Sequence, residues 1–326
     1  MKAVVVSQFG GAEELKYQEM DHPVVGKNEV LIRVEATGVN FADIKAREGR
    51  YHGGSKPPFV PGLDTAGTIE AVGSEVKRFR EGQRVIAFVN GGSYSEYAVA
   101  EEQLTFELPD SVDFETAAAC PVVAFTSYHL LHKVGRIQNG ETVLIQAASG
   151  GVGTTAIQLA KILGAGKIIG TVGRDEKKET ARQAGADEVI NYEKENFVEL
   201  VQEMTEGRGA DLILDSIAGE TGEKSMECLA MYGRMVNFGN AGGRPANFQT
   251  KDLHASCRAV LGFSLGTTRN RRPELLQDTA ERVLRFLAEE RLKMVIGKRI
   301  PLSEAQEAHE WIESRKSTGK VILVPR

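Results

Sequence analysis

Between Thr142 and Phe238, short apolar runs alternate with stretches whose apolar residues recur at helical spacing. This alternation narrows the fold more than any other feature of the chain. The runs Thr142–Ala147, Lys167–Val172, Glu188–Ile190, Asp211–Asp215 and Arg234–Phe238 predict strands. Between them, Val152–Leu163, Glu176–Ala184, Phe197–Thr205 and Thr221–Leu229 predict helices. Strands that take turns with helices form βαβ units, so this segment predicts a doubly wound parallel sheet in an α/β fold.

The ends of the chain read differently. From Met1 to about Leu108 the β-type runs Ala3–Val6, Val30–Val34, Thr68–Val72, Arg84–Phe88 and Tyr94–Ala98 are broken by glycine and proline, as in a barrel or sandwich. Beyond about Gly262 the pattern predicts an amphipathic helix over Pro273–Arg291, another near Ser303–Ser314 and a closing strand, Lys320–Val324. That tail is expected to rejoin the first domain. A last parallel strand around Arg258–Phe263 would leave a sheet edge open, which a second copy of the chain would pair in a homodimer.

With 326 residues the chain can build two cores. A net charge of −5 argues against nucleic-acid and anionic-membrane surfaces as partners, and no apolar run nears bilayer length. The opening MKAVVVSQFGG reads as a strand rather than a leader, and Cys120, Cys228 and Cys257 make no paired set. A cytoplasmic enzyme that acts on a small molecule is the expectation.

The stretch QAASGGVGTT, residues 146–155, joins the first predicted strand to the first predicted helix. In the G-x-G-x-x-G spacing its slots fall on Ala148, Gly150 and Gly153, so the first glycine is missing and Gly151 is extra. Gly150 would let the backbone approach a pyrophosphate and Gly153 would let helix and strand pack closely. The N–H groups of Gly151 and Val152, at a helix start, would face the anion. A plain tight turn is the alternative. About twenty residues on, where a sheet that binds NAD offers an acid to the ribose, the chain has Gly173 and then Arg174. A small residue beside a cation suits the 2′-phosphate of NADP, although Asp175 leaves NAD open.

At these residues the chain resembles the quinone oxidoreductase and zeta-crystallin group, a zinc-free branch of the medium-chain dehydrogenase/reductase superfamily. The likeness rests on GETVLIQAASGGVGTTAIQLAK (residues 140–161), GVNFADIKAREGRY, PFVPGLDTAGTIEAVG, GGSYSEYAVA and the terminal GKVILVP. It implies a GroES-like β-barrel catalytic domain over 1–122, a Rossmann NADP-binding domain over 123–263, and a segment, 264–326, that returns to the catalytic domain. It further implies that Asn40 and Thr126 approach the nicotinamide and its ribose. Gly150, Gly151 and Val152 would hold the pyrophosphate, and Gly173, Lys177 and Tyr192 the adenosine phosphate. Phe238, Gly239 and Asn240 would lie on the nicotinamide side, with Arg315 and Lys320 reaching the cofactor from the tail.

Zinc members of the superfamily carry a cysteine after a Gly-Val pair, then Gly-His-Glu, and a four-cysteine lobe. Here the places read Gly38-Val39-Asn40 and Gly62-Leu63-Asp64, and no such lobe exists. Cys120 reads as a core residue, and His129 with His132 lacks a third ligand. No metal site is expected. The acceptor must then already be electron-poor, a quinone or an α,β-unsaturated carbonyl. The protein has to align it and donate hydrogen bonds to the oxygen that turns anionic. Tyr51, Asn40 and Lys45 are the candidate donors, with packing as the alternative for Tyr51. An enoyl-thioester reductase and a non-catalytic NADPH-binding protein are the competing functions. The cluster Arg269, Arg271, Arg272 suits either an acyl-CoA phosphate or, more plainly, a solvated lead into the helix at Pro273.

Overall fold

The computed structural model describes residues 1–51, 54, 56–89 and 91–325. The chain divides into two compact units: Met1–Phe125 with Gly266–Glu290 and Ile296–Arg326, and Thr126–Leu265 with Arg291–Val295.

In the first unit a seven-stranded sheet runs in the spatial order Ile296–Pro301, Lys320–Val324, Glu29–Val39, Asp64–Val72, Arg84–Phe88, Thr105–Glu107, and Tyr97–Glu101 also pairs with Glu29–Val39. The closing strand pairs antiparallel with Glu29–Val39, Val321 opposite Val39, so the tail is built into this sheet. A smaller sheet joins Lys2–Val6 to Leu15–Glu19. Alternation along these strands fills a core of Val30, Ile32, Val34, Ile69, Val85 and Ala98. Helices that the β-type pattern did not announce stand at strand ends: Phe41–Arg47, Phe114–Ala119 and Pro121–Tyr128.

The second unit is a six-stranded parallel sheet in the order Glu188–Asn191, Lys167–Val172, Thr142–Ile145, Ala210–Asp215, Leu229–Asn237, Ala259–Gly262. Numbered along the chain this is 3-2-1-4-5-6, and the chain reverses direction across the sheet beside the first strand. The predicted helix over Thr221–Leu229 is shorter, Gly219–Ser225 with a 3-10 turn, because Leu229 already belongs to the next strand. Pro273–Arg291 likewise resolves into a 3-10 turn, Pro273–Leu276, and the helix Gln277–Ala288.

The turn before the first helix, Gly151–Ile162, is closely approached by two glycines, one in the helix and one in the second strand. A Cβ on Gly153 would stand 2.6 Å from the backbone oxygen of Ala148, and one on Gly170 would stand 2.7 Å from the Ala148 Cβ. Both distances are shorter than atoms tolerate, so a side chain must displace the turn. Gly170→Val should therefore lower the unfolding free energy by roughly 1–3 kcal/mol despite valine's strand propensity. Urea unfolding checks this, and an unchanged midpoint would refute the close approach.

Candidate functional site

In the first unit the polar residues converge where the strand Glu29–Val39 gives way to the helix Phe41–Arg47. Asn40 caps that helix, and with Asp43 it forms a capping box: the Asn40 N–H donates to Asp43 Oδ2 at 2.8 Å. The Asn40 amide is gripped at both ends. Its Nδ2 donates to Asp64 Oδ1 at 2.8 Å, and Lys320 Nζ donates to its Oδ1 at 2.7 Å and to Val39 O at 3.1 Å. An ammonium only donates and an ionised carboxylate only accepts, so the amide has one orientation. Asp64 also accepts the Val122 N–H at 3.1 Å. All three side chains are buried. The neighbouring Gly38 has no room for a side chain, since its Cβ would sit 2.8 Å from Lys320 Nζ and 2.9 Å from Asp64 Oδ1.

Behind this trio runs a second buried chain. Asp43 Oδ2 also receives the Tyr94 hydroxyl at 3.2 Å, and Tyr94 Oη lies 3.1 Å from His309 Nε2. His309 Nδ1 faces Arg47 Nη1 at 3.3 Å. Arginine can only donate, so Nδ1 accepts, Nε2 carries the imidazole proton, and the Tyr94 proton points to Asp43. Arg47 ends on Glu313, at 2.7 and 3.1 Å, and on Gly10 O at 3.1 Å. Burial, then the Arg47 charge, pulls His309 down to about 3. Burial first and Asp64 next push the Asp43 carboxyl up to about 7, and its Oδ1 is buried without a hydrogen-bond partner among the described residues.

Tyr51 is half-buried; burial pushes its phenol up, with Arg269 opposing. Lys45 lies 5.2 Å from the Phe41 ring, and burial followed by the Arg50 charge pulls it down. Arg315 is exposed in a left-handed turn at φ 56. Lys320, expected to reach the cofactor from the tail, holds its ammonium buried against Asn40 and Val39. One expectation is corrected outright: Arg269 is not a solvated lead. It is buried, bonded to the carbonyls of Leu63 and Val89.

In the second unit Gly150 caps the helix Gly151–Ile162. A Cβ on Gly150 would meet only Ala147 O, at 3.4 Å, so no protein atom crowds that face. The left-handed residue of this turn is Ala147, at φ 53, one place before the slot where sequence spacing missed a glycine. An alanine held there stores strain of the kind found at binding turns. Val152 is tied by its carbonyl to Ser127, at 3.1 Å, beside the buried Thr126. Like every helix start, Gly151, Val152 and Gly153 present N–H groups with no intrahelical acceptor.

At the end of the second strand, Gly173 faces Tyr192, whose hydroxyl would lie 2.9 Å from a Cβ there. Asp175 is engaged on both oxygens: Asn191 Nδ2 donates at 2.8 Å and Lys194 Nζ at 2.6 Å. Arg174 is exposed and forms no ion pair among the described residues, while Lys177 is half-buried. Beyond the fourth strand, Asp215 accepts from the N–H groups of Ile217 and Ala218 at 2.9 and 3.0 Å and from Asn237 Nδ2 at 3.1 Å. This fixes the turns that carry Phe238, Gly239 and the exposed Asn240. His129 stacks on Phe263 at 5.0 Å and is buried, whereas His132 is exposed. The described residues contain no group of three or more His, Cys, Asp or Glu side chains that would hold a metal ion.

Asp43, Asp64 and Asp215 were not singled out as functional from sequence. The Asn-x-x-Asp spacing of a capping box was legible at Asn40 and Asp43; the others depend on chain segments brought together only by folding.

Two family models define the class. Residues 26–110 match the alcohol dehydrogenase GroES-like domain, and residues 151–281 match the family described as zinc-binding dehydrogenase. The chain is 38% identical over 332 residues to a quinone oxidoreductase of Pseudomonas aeruginosa, covering 99% of both. It is 35% identical over 328 residues to the quinone oxidoreductase of Homo sapiens, covering 99% of this chain and 98% of that one. Among solved structures it is similar to Escherichia coli quinone oxidoreductase complexed with NADPH, with a TM-score of 0.93, 35% identity and full coverage of both chains. The chain belongs to the quinone oxidoreductase family of the medium-chain dehydrogenases/reductases.

The buried Asp43 gives a pH-dependent contribution to stability. Its folded value is raised above the unfolded one, so the folded state binds more protons between about pH 4 and 7. Stability is thus lost as pH rises through that window and levels above it, by on the order of 4 kcal/mol. Asp43→Asn keeps an acceptor for Asn40 and Tyr94 and should remove this slope. The difference in urea midpoint between the two proteins, measured from pH 4 to 8, should therefore grow with pH; a constant difference would contradict it.

Proposed function

We propose that this chain is an NADPH-dependent oxidoreductase that reduces quinones, or related electron-poor α,β-unsaturated carbonyls, without zinc. The observation that carries the reading is the state of the ribose end of the second unit. The acid that follows Arg174, Asp175, is occupied by Lys194 and Asn191, while the cation Arg174 stands exposed beside Gly173. A diol would find a neutralised acid there, and a phosphate would find an available cation. The kinship supports the same choice, since the E. coli relative was crystallised with NADPH.

The residues fit the dinucleotide. The uncrowded face of Gly150 and the N–H groups of Gly151 and Val152 would take the pyrophosphate. Gly173, Arg174, Lys177 and Tyr192 would surround the adenosine phosphate. Thr126, Phe238, Gly239 and Asn240 would serve the nicotinamide half. Lys320 acts through Asn40, because its ammonium is spent on that amide. When bound, NADPH supplies a hydride, two electrons with one proton, and the quinol anion then takes its second proton from water. The chain's own task is to donate hydrogen bonds to the oxygen that becomes anionic. Tyr51, raised by burial, stays a protonated donor; Asn40 and Lys45 are the further donors.

Zinc does not suit the donors present. Asn40 offers an amide already bonded to an ammonium, and burial pushes the Cys120 thiol far above its usual range. We also assign a homodimer through the edge strand Ala259–Gly262, next to a strand that exposes Met231 and Tyr232. No helix among the described residues is long and apolar enough to cross a membrane, and a cytoplasmic location is part of the same proposal.

NADPH oxidation with a panel of quinones, alkenals and enoyl thioesters tests the activity; absence of turnover with every quinone would sink it. Exhaustive chelation should leave kcat unchanged, and zinc found at one per chain and lost together with activity would overturn the metal-free reading. Arg174→Ala with Lys177→Ala should raise KM for NADPH by roughly tenfold per cation and leave NADH nearly unaffected. An unchanged NADPH preference in that double variant would return attention to Asp175. Light scattering at micromolar concentration should show a dimer, and a monomer alone would contradict the edge pairing.

A further inference from the structure

Arg269 lies in the helix Leu265–Arg271, in a segment that belongs to the first unit. It is a charged side chain only 6% exposed, and no carboxylate pairs with it among the described residues. One nitrogen anchors it: Nη1 donates to Leu63 O at 3.1 Å and to Val89 O at 3.3 Å. The guanidinium carbon stands 5.4 Å from the Phe88 ring centre, which braces the plane. Nε and Nη2 have no hydrogen-bond partner among the described residues.

A guanidinium that is anchored, desolvated and left with two unpaired nitrogens is costly unless something negative meets it. Its surroundings identify where. The titratable groups coupled to it are Tyr51, then Asp64 and Asp43, and Arg269 is the charge that acts most on Tyr51. Arg269 and the candidate donor Tyr51 thus share one neighbourhood. The two carboxylates do not neutralise it by contact, since Asp64 is taken by Asn40 and Val122, and Asp43 by Asn40 and Tyr94.

We propose that Arg269 is a catalytic residue: its unpaired edge, beside Tyr51, binds the acceptor oxygen that becomes anionic. This rests on the oxidoreductase reading and adds to it a substrate class. Hydride arrives with two electrons and one proton, the quinone oxygen gains a full negative charge, and water then supplies the second proton. A fixed cation favours that anion over the neutral quinone, which is what lowers a barrier. Acceptors that carry a resident negative charge next to the reacting carbonyl, such as ionised hydroxyquinones, should accordingly bind best.

The probe is 2-hydroxy-1,4-naphthoquinone, an anion at neutral pH, titrated into the protein saturated with NADP+, with neutral 1,4-naphthoquinone as its control. Wild-type protein should bind the anion at least about tenfold more tightly than the neutral quinone. Arg269→Gln should lose that preference, Arg269→Lys should retain part of it, and the dissociation constant for NADPH, read by fluorescence, should stay within about threefold in both. Equal affinity of wild type for the two quinones would overturn the proposal without any variant, so it remains testable if Arg269→Gln fails to fold. Equal losses of anion, neutral quinone and NADPH in the variants would also overturn it, by making Arg269 structural. The readout is binding, so it stands apart from turnover: failure to oxidise NADPH with any quinone would defeat the oxidoreductase reading while leaving the anion preference measurable.

Discussion

Much of the first unit depends on where one ammonium goes. Lys320 opens the closing strand and is buried, and its hydrogen bonds to Val39 O and Asn40 Oδ1 span 281 and 280 positions of sequence. A buried cation without partners would be intolerable, so the tail can enter the sheet only in the register that delivers Lys320 to them. In return, the Asn40 amide is oriented, Asp64 keeps a donor, and Gly38 has to be glycine. The helix Phe41–Arg47 then starts from a fixed cap. The buried line from Asp43 through Tyr94 and His309 to Arg47 follows from that helix, and Arg47 carries it to Glu313 on a later helix.

The second unit meets its demands by omission. The turn after the first strand leaves one face of Gly150 uncrowded and accepts a left-handed alanine at Ala147. After the second strand, Asp175 is neutralised by Lys194 and Asn191, which under the proposed function leaves discrimination between cofactors to the exposed Arg174 and to Lys177. Asp215, buried and bonded through both oxygens, holds the turns after the fourth and fifth strands.

How much of this was legible depended on whether the signal was local. The strands Thr142–Ile145 and Lys167–Val172 and the closing strand Lys320–Val324 could be read from short apolar runs, because strand and helix periods are written in neighbouring residues. The helix Phe41–Arg47 was hidden in a β-like half, although its Asn40 and Asp43 cap pair was in plain view. Arg269 was read as solvated because three arginines crowd one stretch, and composition cannot tell which of them faces inward. The bonds of Lys320 to Asn40 and Val39 were not legible either, since nothing in sequence ties these residues together. Such pairings are set by sheet register, and register is a property of the whole chain.

The central claim is that Lys320 and Asn40 act as one unit, and a double-mutant cycle measures this directly. Unfolding free energies of Lys320→Met, Asn40→Ala and the combined variant would be compared with wild type in urea. Removing either partner leaves a buried polar group unpaired, so each single change should be costly, and the second should add little once the first is made. The account predicts a coupling energy of about 1–3 kcal/mol, accompanied by matching losses of kcat in the two single variants. Additive free energies, within about 0.5 kcal/mol, would contradict it.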